Sequence, residues 1–346
     1  MCPGRCIVPL LLQGSFFRPN VIISNIASAG FGNPAFLSYF RAAFYPLLKE
    51  ISAMSGQLKE VRNRIKSVQS TQQITKAMKM VSAAKLRRAQ DAIQQMRPYA
   101  QKLQEMLSNI VSSQSGDMAL PLAEERAPER ILLIPITSDR GLAGAYNANI
   151  IKLTREVIRT KYAAQNAAGN VTILPIGKKA YEAFQRSNAR MVDTYWALLS
   201  NQSFDNVKEV ARYAQEAFLR REYDRVELVY SQFKNAATQR FVTEAYLPIP
   251  KAENSGNSRN SDFIYEPSKE VLIEELMPKI LNTQVFKAVL DATASEHGAR
   301  MTAMDKASEN ANELLKNLKI SYNRARQAAI TTELTEIVSG AAALQG

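Results

Sequence analysis

The chain has 346 residues, 46% hydrophobic and 22% charged, a composition that excludes wholesale disorder and leaves room for two domains. Its net charge of +12 is unevenly placed: residues 1–53 carry +3, residues 54–114 carry +8 from eleven basic and three acidic side chains, and the rest carries +1. Both cysteines, Cys2 and Cys6, lie at the extreme N-terminus, which excludes a disulfide framework or cysteine-bound metal in the folded part and fits a reducing compartment.

Residues 1–53 are acid-poor, with phenylalanines at 16, 17, 31, 36, 40 and 44 in no helical stripe. The apolar run from Ile7 to Leu12 is too short to span a membrane. Three readings of this extension stand open: an upstream start ahead of a true first residue Met54, an organellar presequence, or a signal or family-specific tail.

From Ser55 to about Ser113 the pattern predicts one helix, with Pro98 as its single internal breaker. Leu58, Val61, Ile65 and Val68, and later Ile93, Met96, Ala100, Leu103, Leu107 and Ile110, alternate steps of three and four, the spacing that holds one stripe against a partner helix. At 1.5 Å per residue such a rod approaches ~80 Å, too long for its own domain to bury. Its middle, Thr71 to Ala89, is both basic and apolar, and Ile74, Met78, Val81 and Leu86 are expected at the seam. The basic residues read either as a solvated face or as the contact surface for an acidic partner, and the length of the rod favours the partner.

Residues 114–129 are a loop by composition. Apolar runs at Ile131–Thr137, Val171–Ile176 and Val226–Phe233 predict buried strands, and Arg240–Leu247 predicts a further strand joined by a hairpin. Helical periodicity over Asn147–Tyr162, Lys178–Ser187 and Asp205–Arg221 alternates with them, which predicts a mostly parallel, Rossmann-like sheet. The polar segment 251–262 reads as a flexible loop. From about Ser268 to Leu344 a second long helix carries Met304, Ser308, Ala311, Leu315, Leu318, Tyr322, Ala325 and Ala329 in steps of four and three. The expected architecture is α/β: a long coiled coil of the N- and C-terminal helices with an inserted Rossmann-like domain. Its parts are an extension (1–53), a first coiled-coil helix (54–114), the α/β domain (126–250), the loop (251–262) and a second coiled-coil helix (263–346).

The turn Ser138-Asp139-Arg140-Gly141-Leu142-Ala143-Gly144 follows the first strand, where α/β folds hold phosphates, but its G-x-x-G spacing fits neither the dinucleotide nor the Walker pattern. A capped turn whose charged pair Asp139 and Arg140 ties the domain to the rod is the favoured reading. His297, the only histidine, is expected on a helix surface or in the seam, and acidic pairs such as Glu333 and Glu336 on a solvated face. No catalytic constellation emerges, and neither a cofactor nor a metal is expected.

Four stretches in order carry a resemblance: Ile65 to Ala89, Ser138 to Asn147, Ser295 to Asn312, and the end segment ITTELTEIVSGAAA from Ile330 to Ala343. They resemble the gamma subunit of F-type ATP synthases, in the bacterial form, from Ser55 to the C-terminus. The resemblance implies a non-catalytic rotor. Its two helices would penetrate a hexamer of alpha and beta subunits, its α/β domain would meet the epsilon subunit and the c-subunit ring, and the shaft would couple proton flow to ATP synthesis. The shaft contacts it implies fall on Lys76, Met78, Lys79, Arg300, Gln327, Thr331, Glu333 and Glu336, with small residues such as Ala328, Ala329 and Gly340 to Ala343 making a slim tip. The chain would be peripheral to the cytoplasmic face of a bacterial plasma membrane, or to the matrix side if residues 1–53 are a mitochondrial presequence. The alternative is a basic coiled-coil adaptor for nucleic acid or acidic surfaces, whereas the rotor reading expects no nucleic acid.

Overall fold

A computed structural model describes residues 34–112, 121–236, 238–249 and 269–345. The 251–262 segment and the side chains of Leu107 and Ile110 lie outside the described residues. Two compact units form, one of residues up to 73 and from 309 onward, the other of residues 74–308.

Helix α1 (Pro34–Ser112) starts upstream of the expected Ser55. A proline is tolerated at a first helical position, where its missing N–H would have no partner anyway, and the helix runs on through Pro46 in its interior. At the other end of the chain, helix α6 (Lys269–Gln345) closes the fold. Within the first unit the two helices meet along their expected stripes, with Leu58, Val61, Ile65 and Val68 partly buried, as are Ala311, Tyr322, Ala325 and Ala329, while Leu315 and Leu318 are buried. Arg62 Nη2 donates to Tyr322 Oη at 2.9 Å, and Gln72 bonds Asn312.

In the second unit the sheet follows the order β2-β1-β3-β4, built from β1 (Ile131–Pro135), β2 (Val171–Ile173), β3 (Arg225–Phe233) and β4 (Gln239–Leu247). The first three are parallel, and β4 returns antiparallel to β3. Helices α2 (Tyr146–Thr160), α4 (Lys178–Gln185) and α5 (Phe204–Leu219) supply the crossovers, and a short α3 (Ala163–Ala167), absent from the sequence-based reading, precedes β2. Parallel strands are covered on both faces and therefore read as unbroken apolar runs. Leu132, Ile134, Val226, Leu228 and Tyr230 face Val207, Val210, Ala214 and Phe218 of α5 and Leu281, Val285 and Val289 of α6. Ile131 and Leu133 face the opposite way, onto Val157, Ile158 and Tyr162. Each such aliphatic side chain contributes roughly 1.5–3 kcal/mol by leaving water. Ser203 caps α5 by accepting from the Asn206 N–H, with Asp205 favourable in the first turn.

Helix α6 also carries acids into this unit. Asp291 is 4% exposed, and burial raises its pKa to about 6 against the pull of Lys287 and Arg97, with Glu244 adding repulsion. A buried acid with a raised pKa costs stability once it ionises, so the unit should weaken as pH rises from about 4 to 6. Asp291→Asn removes that cost: the variant should gain on the order of 2 kcal/mol on wild type at pH 7 and little at pH 4, read from melting curves at both.

Candidate functional site

The turn after β1 is held from three directions. Asn147 Oδ1 accepts from the Ser138 N–H at 2.9 Å, Ser138 Oγ donates to the Arg140 carbonyl at 2.7 Å, and Asp139 Oδ1 accepts from the Lys178 N–H at 3.0 Å, capping α4. Leu142 sits at φ 64°, a left-handed conformation that costs a non-glycine residue on the order of 1 kcal/mol or more and persists only where its surroundings impose it.

What imposes it comes from α6. Arg300 is only 8% exposed, and its Nη2 donates to the Arg140 carbonyl at 3.1 Å and the Gly141 carbonyl at 3.3 Å, while Nη1 reaches Glu296 Oε1 at 2.5 Å. The expected tie between Asp139, Arg140 and the rod is therefore corrected: it runs through backbone carbonyls to Arg300, and Asp139 spends its charge on a helix cap. Burial pushes the Glu296 carboxyl above its ordinary range, outweighing the downward pull of Arg300. His297 is partly buried, and burial with Arg300 and Lys85 nearby lowers its pKa to about 4, so it is neutral near pH 7 with Nδ1 3.4 Å from Arg300 Nη1.

Further contacts bring α6 against the carboxyl ends of β1 and β3. Tyr146 Oη donates to the Ala292 carbonyl at 3.0 Å, Ser295 Oγ to the Ser231 carbonyl at 3.0 Å, and Thr302 Oγ1 to the Ala236 carbonyl at 3.3 Å. Open α/β sheets hold their ligands in the crevice outside the strand ends where the order switches, here between β1 and β3. In this chain α6 takes that crevice, with Ser295 on β3 and Arg300 on the turn after β1.

Beside this grip, α1 packs on α6 through Leu86, Ala89 and Ile93 against Leu290 and Ala294. Toward residue 74 the seam turns polar: Thr75 Oγ1 and Ser308 Oγ lie 2.8 Å apart, Lys79 Nζ donates to Asp305 Oδ1 at 2.6 Å, and Ser82 is buried. Ile74 and Val81, expected at the seam, are instead each 57% exposed. The stripe passes through Thr75, Lys79 and Ser82, which an apolar-only reading skips.

A family profile described as ATP synthase matches residues 57–344. The ATP synthase gamma chain of Cytophaga hutchinsonii is 53% identical over 290 residues, covering 83% of this chain and 98% of its own length. The chain belongs to the ATP synthase gamma chain family. The Flavobacterium johnsoniae gamma chain is 49% identical over 291 residues, covering 84% of this chain and all of its own length. The rotor of the Euglena gracilis mitochondrial ATP synthase matches in structure with TM-score 0.55 and 23% identity, covering 80% of this chain and 99% of that one, which shows the fold. Nothing in gamma chain membership supports the nucleic-acid adaptor.

The residues singled out for their family role divide between the two units. Lys76 is exposed, Met78 partly buried, Lys79 paired with Asp305, and Arg300 spent on the turn. In the first unit Gln327, Thr331 and Glu333 are exposed and Glu336 partly so, with the Gln327 carbonyl accepting from Thr331 Oγ1 at 2.9 Å. Around them Ile330, Leu334, Ile337 and Val338 stand exposed, Ile337 by 68%. Sequence reasoning missed Glu296, Asp305, Tyr146 and Ser295. An acid four residues before Arg300, in a run rich in alanine, serine and glycine, is the signal that could have found Glu296. Among the described residues no helix is long and apolar enough to cross a membrane.

Proposed function

We propose that the chain is the central-stalk rotor subunit of an F-type ATP synthase, performing no chemistry itself and passing torque between the membrane ring and the catalytic beta subunits. The observation that carries this reading is the pairing of the chain's opposite ends along one heptad stripe, seen at Arg62 with Tyr322 and again at Lys79 with Asp305. In this reading the exposed cations of α1 and the exposed face around Thr331 and Glu333 meet the alpha and beta subunits, and Arg300 serves from within by shaping the turn at Arg140. The α/β domain meets the epsilon subunit and the c-subunit ring, so the protein is peripheral to the cytoplasmic face of the membrane.

The test is complementation of a complex lacking the chain. A tagged copy is expected to co-purify with alpha and beta and to restore ion pumping driven by ATP hydrolysis; hydrolysis and pumping indifferent to its removal would end the reading. Met78→Lys sharpens it. A third cation between Lys76 and Lys79 would form a charge-assisted bond, worth about 1.5–3 kcal/mol, with an acidic partner surface, and that bond must break at every step of rotation. The variant should assemble normally yet pump at least twofold fewer ions per ATP. A wild-type ratio would take Met78 off the contact surface.

A further inference from the structure

The contacts on α6 between Ala292 and Thr302 come from five separate pieces of the α/β unit. Tyr146 at the start of α2 bonds the Ala292 carbonyl, Gln202 Nε2 bonds Thr293 Oγ1 at 2.9 Å, Ser295 bonds the end of β3, Arg300 bonds the turn after β1, and Thr302 bonds the hairpin before β4. Gly298 lets that hairpin close in: a Cβ there would lie 3.2 Å from the Ala236 carbonyl oxygen. At about 100° per residue, counted from Ala292, Arg300 and Thr293 fall near 80–100° and Gly298, Thr302 and Ser295 near 240–300°, so the grips span about 220° of the helix circumference. Helix α1 meets the same stretch differently, through the apolar row Leu86, Ala89 and Ile93 on one side. A one-sided apolar row permits a helix to roll, because dispersion contacts have no preferred direction. Hydrogen bonds at several azimuths resist rolling, because each weakens steeply when its angle is lost.

We infer that α6 is the keyed half of the axle. Torque passes between the α/β domain and the coiled coil through Tyr146, Ser295, Arg300 and Thr302 acting as positioning residues, and α1 is carried round by its seam with α6. In this fold a crevice that elsewhere holds a ligand holds the shaft. The inference rests on the rotor reading above and adds to it the place where rotation is locked.

The experiment uses the whole complex in liposomes, assembled with wild-type chain, with Tyr146→Phe/Ser295→Ala, or without the chain. The double variant is expected to hydrolyse ATP near the wild-type rate without a gradient, to lose at least twofold in ions pumped per ATP against a high gradient, and to show at least twofold wider angular fluctuation of a bead on the c-subunit ring when the shaft is held. Ile173→Val, a core change between β2 and α4, controls for lost stability and should leave both readouts unchanged. A disulfide between Gly144→Cys and Ala303→Cys, where a Cβ at 144 would lie 3.9 Å from that of Ala303, spans the same grip, at the cost of about 1 kcal/mol for a side chain at φ 59°, which the single Gly144→Cys variant controls for. Added to the double variant, it should restore coupling when oxidised and not when reduced, even if the hydrogen-bond variants assemble poorly. Wild-type coupling and fluctuation in the double variant, or no rescue on oxidation, would overturn the keyed-helix inference alone. Coupling retained without any copy of the chain would overturn the rotor reading itself.

Discussion

Arg300→Met should remove about 3–5 kcal/mol from the unit containing the sheet, the usual cost of deleting one member of a buried ion pair. Two losses combine. Glu296 is left as a buried carboxylate without its cation, and the carbonyls of Arg140 and Gly141 lose the donor that shapes the turn. Because burial already lifts the Glu296 pKa, removing Arg300 lifts it further. Protonation then relieves the deficit at low pH, so the drop in melting temperature should be largest at pH 8 and shrink toward pH 5. Arg300→Met/Glu296→Leu should recover most of the loss at pH 8, since replacing both partners leaves no buried charge. A loss independent of pH, or no recovery in the double variant, would show that the pair is not the stabilising element.

Gly177→Ala should be comparably damaging for a steric reason. Gly177 precedes α4 at φ 99°, and a Cβ there would lie 2.5 Å from the Thr137 carbonyl oxygen and 2.9 Å from Thr137 Oγ1. That hydroxyl accepts from the Ala180 N–H at 2.9 Å, so the clash and the loss of a helix cap fall on one residue. Strain at the dihedral and overpacking each cost roughly 1–3 kcal/mol, so a combined loss near 4 kcal/mol is expected. For a unit of this size that is a melting temperature lower by roughly 10 °C. A change of less than 2 °C would mean that the turn relaxes freely.

The α6 stripe was fully legible because its positions from Met304 to Ala329 are small or apolar, whereas the α1 stripe was legible only at its two ends. Between Val68 and Leu86 the true seam runs through Gln72, Thr75, Lys79 and Ser82, while exposed Ile74 and Val81 offered a competing apolar pattern. The three parallel strands emerged within a few residues because strands covered on both faces are apolar throughout, and β4, antiparallel and only partly buried, emerged from the hairpin that follows β3. Long-range partners stayed hidden for a different reason. A helical run of small residues such as Ala292, Ala294, Ser295, Gly298 and Ala299 shows that something approaches closely, but only the fold shows that it is Tyr146, Ser231 and the turn at Gly141. For the same reason Arg300 looked like an outward contact and proved to be buried.

The pairing of Lys79 with Asp305 also bears on what happens before the molecule is complete. At roughly 5–20 residues per second, the ribosome needs on the order of ten seconds between finishing α1 and starting α6, during which the first helix has no mate. Two copies zipped in parallel register through α1 would set lysine against lysine, and two through α6 aspartate against aspartate. Only the pairing of unlike helices sets opposite charges together at this point, and with both side chains nearly half exposed the pair acts on the choice of mate more than on the stability of the finished protein.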